Sequence, residues 1–314
     1  MRREGCKAMA NDPDLVVETK SLTKRFGRIT AVDELNIEVY RGEVFGFLGP
    51  NGSGKSTTMG MILGLIAPTS GKVFVFGMDV AHNLPKILRQ TGALTESTSF
   101  YPYLSGYENL RYFARITGGI NNSRIEEVLE LVELTNRAYD PFSNYSLGMK
   151  QRLGLASALL GNPEFIILDE PTNGLDPAGM KEIRELIMLL GKQGKTVFLN
   201  SHLLHEVQQV CDRVAIIKKG RVITQGPVKE LLNRKRLLQI QATQTDKAFD
   251  LLSGQEWLKN ISRNGERILL EVDPESAYKV SAFLADKGIY LIEMKYTENT
   301  LEDLFLELTG EAAI

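Results

Sequence analysis

Three groups of residues in this chain are of types that do chemistry together. The first is Gly49-Pro50-Asn51-Gly52-Ser53-Gly54-Lys55-Ser56-Thr57, which fits the phosphate-loop pattern G-x-x-x-x-G-K-[ST]. The second is the acid pair Asp169-Glu170, directly after Phe165-Ile166-Ile167-Leu168. The third is His202, after Thr196-Val197-Phe198-Leu199. A polyphosphate puts several charges on a compact group, so many donors must converge on it. Glycines at 49, 52 and 54 let the backbone turn back and present N–H groups with no side chain in the way. A helix beginning near Lys55 adds its positive end. Lys55 brings a point charge to the outer phosphates, and the Ser56 hydroxyl can complete a Mg2+ shell. The bland alternative is a glycine-rich turn that binds nothing; Lys-Ser in place and a strand in front argue against it.

The elements that must position these groups are legible around them. Val44–Leu48 reads as a short buried strand and Ser56–Leu65 as a helix, the strand–loop–helix order the loop needs. Phe165–Leu168 is apolar throughout, as in a parallel-sheet strand buried on both faces. It ends in acids at the carboxyl edge, where ligands bind in open α/β sheets, and where the second half of a phosphate-loop site belongs. Thr196–Leu199 is a further buried strand, and His202 follows it on that same edge. Ahead of the loop, Leu15–Thr19 and Leu35–Val39 alternate as half-buried strands do. Phe26 lies between them and could stack on a base or simply pack. Val73–Phe76 is a strand, and Thr91–Glu96 reads as a strand that ends in a carboxylate. Asn109–Ile116 and Arg124–Leu134 carry helical spacing and read as a helical insertion. The aromatic loop Phe100–Leu104 before it is either a partner surface or packing on that helical layer. Ser146 stands where an N-cap belongs, ahead of a helix to Leu160. Ala178–Leu190 and Leu203–Cys211 are helices, and Val214–Ile217 with Arg221–Thr224 forms a hairpin.

The chain has 314 residues, 43% hydrophobic and 24% charged, long enough for two domains. Its 37 basic and 39 acidic residues give a net charge of −2, with no basic excess to mark a nucleic-acid binder. Cys6 and Cys211 are the two cysteines, read as free thiols of a reducing compartment. No apolar run approaches the roughly 20 residues that span a bilayer, and the polar stretch 1–14, read as a disordered leader, lacks the apolar block of a secretion signal. Any membrane role must then come through a partner.

Together, GPNGSGKST, YSLGMKQR, FIILDEPTNGLDP and the strand-end His202 resemble the ATP-binding subunits of ABC transporters, over residues 15–235. The spelling TESTSFYPYLSGYENL is closest to the drug-exporter branch, the bacitracin and daunorubicin self-resistance type. The resemblance implies an α/β phosphate-loop cassette with a mostly parallel core sheet, an antiparallel β subdomain and a helical subdomain. It implies ATP and Mg2+ as cofactors. Residues Gly49 to Thr57 would hold the phosphates, Ser56 and Asp169 the metal. Glu170 would ready the attacking water, with His202 at the γ-phosphate and Phe26 on the adenine. Ser146 and Gly148 would reach the nucleotide of the opposite subunit, and Asp176 would sit at the seam between the two. Two departures stand out. The usual LSGGQ reads Tyr145-Ser146-Leu147-Gly148-Met149, so Leu147 must point away from the nucleotide. Glu96 replaces a glutamine that touches the metal; it can still hold Mg2+ through water but cannot donate a hydrogen bond.

The implied partners are a second cassette, as a homodimer, and a separate multi-span permease, with no nucleic acid. The implied location is cytoplasmic, on the inner face of the membrane. The alternative is a soluble ABC ATPase acting on ribosome or DNA, but translation-type members carry two cassettes and repair-type members long coiled coils. Beyond 235 the pattern changes. Strands at Leu237–Ala242, Trp257–Arg263, Arg267–Val272 and Ile289–Lys295, with helices at Asp246–Leu252 and Glu275–Lys287, give β-α-β-β-α-β. Residues 236–314 are therefore expected to form a small ferredoxin-like α+β domain, either regulatory or merely packed on the cassette, with Thr300 and Asp303 boxing the start of a last helix.

Overall fold

The computed structural model describes residues 14–95, 99–232, 237–296 and 300–310. They fall into two units: the described residues up to Val228 with those from Phe305 onward, and Lys229–Leu304.

The first unit opens with β1 (Leu15–Phe26), β2 (Ile29–Leu35), β3 (Glu38–Tyr40), β4 (Val44–Leu48), α1 (Lys55–Ile62), β5 (Ser70–Val75) and β6 (Met78–Asp79). β1 pairs antiparallel with β2, β3 and β5, and β6 adds to β5, giving the expected antiparallel layer. The strand expected over Leu35–Val39 is broken, because the chain leaves β2 at Leu35 and restarts at Glu38. Thr19 bridges the break: its Oγ1 donates to Leu35 O and accepts from Ile37 N, each at 2.9 Å. A hydroxyl there replaces a rung of the ladder, which alternation alone does not reveal. The helix after the loop closes at Ile62 rather than Leu65, since Gly64 turns the chain with φ of 69°, a left-handed exit open to glycine.

Next come α2 (Val80–Leu88), β7 (Thr91–Leu94), α3 (Gly106–Thr117), α4 (Asn122–Leu131) and α5 (Leu147–Leu159). α2 has no counterpart in the sequence expectations: Pro85 lies inside it and Asn83 is non-helical, which hides the periodicity. α3 starts on a capping box, with Glu108 N bonded to Ser105 Oγ at 3.2 Å and Ser105 N to Glu108 Oε2 at 2.8 Å. The aromatic loop packs in part on the helical layer and in part stays exposed. Phe100 is buried between Phe113 and Phe142, while Tyr103 is 75% exposed beside Tyr101.

The chain then runs through β8 (Phe165–Asp169), α6 (Pro177–Lys192), β9 (Thr196–Asn200), α7 (Leu204–Val210), β10 (Arg213–Lys218), β11 (Arg221–Pro227) and α8 (Val228–Leu232). The core sheet has the order β11-β10-β4-β9-β8-β7, parallel except for β11. β4, β9 and the first four residues of β8 are buried throughout, so their apolar runs reflect cover on both faces. Backbone contact is close here: a Cβ on Gly92 of β7 would lie 2.0 Å from Ala158 O of α5.

The second unit contains β12 (Leu237–Ala242), α9 (Thr245–Ser253), β13 (Asn260–Asn264), β14 (Arg267–Glu271), α10 (Ala277–Asp286) and β15 (Leu291–Tyr296). Its sheet is antiparallel, ordered β13-β14-β12-β15, with the β-α-β-β-α-β succession expected. The second of its strands starts at Asn260, not Trp257, because Trp257 turns to pack on Phe283. Ile240, Leu252, Ile268, Val280 and Leu284 form a core of its own. α11 (Leu301–Thr309) follows, boxed as expected by Thr300 and Asp303; from Phe305 it groups with the first unit. Among the described residues no helix is long and apolar enough to cross a membrane.

Candidate functional site

The parallel sheet places the three chemical groups side by side. β4 and β8 both pair with β9, so the loop after β4 and the acids after β8 are one strand apart at the same edge. Between them lies a cavity of about 670 Å³. Phe26, Gly49 to Gly52, Gly54 to Thr57, Asp169, Glu170 and His202 line it. Ser53 is the exception within the loop: its side chain is buried and Oγ has no partner, while its carbonyl accepts from Gly220 N at 2.9 Å.

The loop has the shape its glycines allow. Gly52 and Gly54 take φ of 75° and 106°, and a Cβ on Gly49 would sit 2.5 Å from both Ile217 O and Ser53 Oγ. No side chain caps α1, so its first-turn N–H groups are left to a ligand. Lys55 is buried and donates to Gly49 O at 2.7 Å and Pro50 O at 3.2 Å. Burial pushes its ammonium pKa down, and the charges of Glu170 and Asp169 pull it partly back. Lys55 and the two acids line the same cavity.

Each acid has a distinct holder. Asn200 Nδ2 donates to Asp169 Oδ1 at 2.5 Å. Asn200 stands in register between Phe47 of β4 and Asp169 of β8, and its own Oδ1 is buried with no partner. Glu170 leaves the strand with φ of 50°, a costly turn for a non-glycine residue of the kind that gathers at functional sites. The turn brings its Oε2 within 2.7 Å of His202 Nδ1 and 3.3 Å of His202 N. An ionised carboxylate only accepts, so this contact puts the imidazole proton on Nδ1.

The signature residues lie elsewhere. Ser146 caps α5, its Oγ accepting from Met149 N at 3.3 Å. Neither Ser146 nor Gly148 lines the cavity. Leu147 is half-exposed and rests over Gly174, where a Cβ would lie 2.7 Å from its Cδ2. Asp176 caps α6 through Gly179 N at 3.0 Å. Glu96 falls outside the described residues. Asn200, Asn173 and Phe305 line the cavity without having been singled out. Asn200 was visible as a strand end beside His202; its register against Asp169 was not.

The fold and the cavity together define a phosphate-loop nucleotide hydrolase, and comparison with known proteins gives the same result. The family described as ABC transporter matches residues 32–173. The uncharacterized ABC transporter ATP-binding protein YhcH of Bacillus subtilis (strain 168) is 43% identical, over 94% of this chain and 96% of the relative. The bacitracin transport ATP-binding protein BcrA of Bacillus licheniformis is 40% identical, over 95% and 99%. A solved dimeric ATP-binding cassette, bound to ADP and Pi in a post-hydrolysis state, superposes with a TM-score of 0.62 at 29% identity, over 68% of this chain and 98% of that one. The chain belongs to the ABC transporter family, as one of its ATP-binding, ATP-hydrolysing subunits.

Proposed function

We propose that this chain powers a membrane exporter, with ATP-driven pairing of two cassettes working a separate multi-span permease. The observation that carries the reading is the shared cavity of Lys55, Asp169, Glu170 and His202. Export draws support from the bacitracin transport relative. A location at the cytoplasmic face of the membrane, held there by the permease, goes with it. The exposed tyrosines at 101, 103 and 112 offer the permease a docking surface on the helical subdomain. Nothing among the relatives favours the ribosome- or DNA-acting alternative. We keep 15–235 as the working cassette and 236–314 as its accessory part.

The residues divide the work of phosphoryl transfer to water, which needs positioning and charge stabilisation more than covalent chemistry. ATP lies with its phosphates on the loop, where Lys55 releases the Gly49 and Pro50 carbonyls to meet the outer phosphates. Phe26, 48% exposed, stacks on the adenine. Glu170 takes the proton of the attacking water as general base. His202 holds that carboxylate by Nδ1–H, and a second proton on Nε2, as in the imidazolium, would let it donate to the γ-phosphate as well. Ser56 and Asp169 supply one hydroxyl and one carboxylate. That set fits Mg2+, which binds through few protein oxygens plus phosphate and water; among the described residues no cluster of three His, Cys, Asp or Glu forms a cage. When bound, the metal neutralises charge on the phosphate oxygens. Asn200 keeps Asp169 aimed.

Pairing follows from the same geometry. Ser146 and Gly148 do not reach their own cavity, so they are available to a second copy. Nucleotide then joins two cassettes, and its hydrolysis lets them part. Glu170→Gln should bind MgATP, stop turnover and run as a dimer in MgATP on gel filtration. Undiminished hydrolysis by this variant would remove Glu170 from the base role.

A further inference from the structure

Phe305, far along the chain from every motif, lines the nucleotide cavity. Two anchors put it there. Lys218, the last residue of β10, donates through Nζ to Thr309 O, at the helix end where a cation is favoured. Thr309 Oγ1 donates in turn to Phe305 O at 2.7 Å, and Thr309 is 1% exposed. The hairpin carrying Lys218 is bonded to the phosphate loop itself. Gly220 N donates to Ser53 O and Gly220 O accepts from Asp33 N, each at 2.9 Å, and Arg221 pairs with Asp33 at 2.6 Å.

Topology decides which flank of the cavity this is. β9 and β10 lie on opposite sides of β4. Asn200, His202 and the acids belong to the β9 and β8 side. The Lys218 hairpin belongs to the other side, against Ala31, whose carbonyl a Cβ on Gly220 would approach to 2.8 Å. Ala31 also lines the cavity, on the strand paired with that of Phe26. Through Thr309 and Lys218, Phe305 is tethered to the β10 hairpin, on the side of β4 where Ala31 also lines the cavity. The two rings differ in access: Phe26 is half-exposed and offers a ligand its face, while Phe305 is 4% exposed and offers only an edge.

We propose that Phe305 is a second nucleotide-contacting aromatic, an edge against which the nucleoside part of ATP packs in addition to Phe26. The inference rests on reading the cavity as the ATP site. It makes the end of the last helix, from Phe305 onward, part of that site.

The test is equilibrium binding of MgATP, MgADP and magnesium tripolyphosphate to the full-length wild type and Phe305→Ala. An apolar aromatic contact of ordinary strength predicts a loss of about three- to tenfold for both nucleotides, with tripolyphosphate unchanged. Equal losses for all three ligands would make Phe305 merely structural and overturn the proposal. So would unchanged affinity. Tighter nucleotide binding would also overturn it, by showing that the ring occupies the place of the base. Should the alanine variant not fold, Phe305→Trp combined with Trp257→Phe, which removes the single native tryptophan, reads the same contact. Its emission should change with MgADP and not with tripolyphosphate; emission indifferent to MgADP sinks the idea. Absence of MgATP binding by the wild type would bring down the cavity reading itself, whereas normal wild-type binding with indifferent variants brings down only the role of Phe305.

Discussion

Asn200 shows how much of a site rests on residues that do no chemistry. It ties one oxygen of Asp169 at 2.5 Å, which leaves the other for the metal role proposed above. Outer partners of this kind typically cost 10–100-fold in affinity or activity when lost. Asn200→Leu should lower ATP turnover by about that range, with thermal stability kept, because the substitution also removes a buried oxygen that has no partner. Turnover within twofold of wild type in a steady-state assay, a bound of about 0.4 kcal/mol, would dismiss the role. Cys211 illustrates burial acting alone. Packed beside Gly46 and buried, its thiol is raised well above its ordinary value, first by desolvation and then by the nearby Asp212 and Glu43. A raised folded-state value means the folded protein resists ionising this thiol. Its contribution is intact below the unfolded thiol's pKa and is lost as pH climbs above it. Denaturant titrations at pH 8 and pH 10 should show wild-type stability falling with pH more steeply than that of Cys211→Ala. Iodoacetamide at pH 8 should label Cys211 only after unfolding, read by peptide mass.

Among the elements, β7 and α5 are held by a backbone approach that only glycine permits. A side chain on Gly92 would need space already filled by Ala158 O at 2.0 Å and Pro163 at 2.9 Å. Gly92→Ala should therefore destabilise the first unit by about 2–3 kcal/mol or more, as overpacking does, seen as a lower midpoint in thermal melts. Gly161 has open space around it, and Gly161→Ala should leave the midpoint near wild type. The elements most legible in the chain were those with local signals. β4, β8 and β9 announce themselves as apolar runs, and α5 by its cap at Ser146. α2 was hidden by Asn83 and Pro85, and the break between β2 and β3 by a hydroxyl donated from Thr19 in another strand.

At the scale of the whole molecule, two buried clusters stand out among the described residues. One gathers around Phe45, Phe47 and Phe198 under the nucleotide loop, the other around Ile240 and Val280. Residues of one core are not asked to hold the other. Ile240→Ala, at a position with no exposure, should cost the second unit about 2–5 kcal/mol. MgATP affinity, measured by titration calorimetry at 25 °C, should stay as in the wild type. A matching loss of affinity would mean the two units unfold together. The proposed pairing of two cassettes belongs to this scale as well, since Ser146 and Gly148 stand outside the cavity of their own chain.

The loop at 49–57, the acid pair and His202 could be picked out from residue types and short spacing, because each is a local pattern with chemistry attached, whereas the signature at Ser146 and Gly148 was legible only through the family resemblance. The β-α-β-β-α-β succession of the tail was legible for the same reason, since alternation and caps are short-range. Tertiary structure alone decided which strands are neighbours and in what register. That placed Asn200 against Asp169, turned Glu170 toward His202, and brought Phe305 to the edge of the nucleotide cavity. These contacts join residues separated by tens to hundreds of positions, and no periodicity within a strand or helix encodes where its end will meet another.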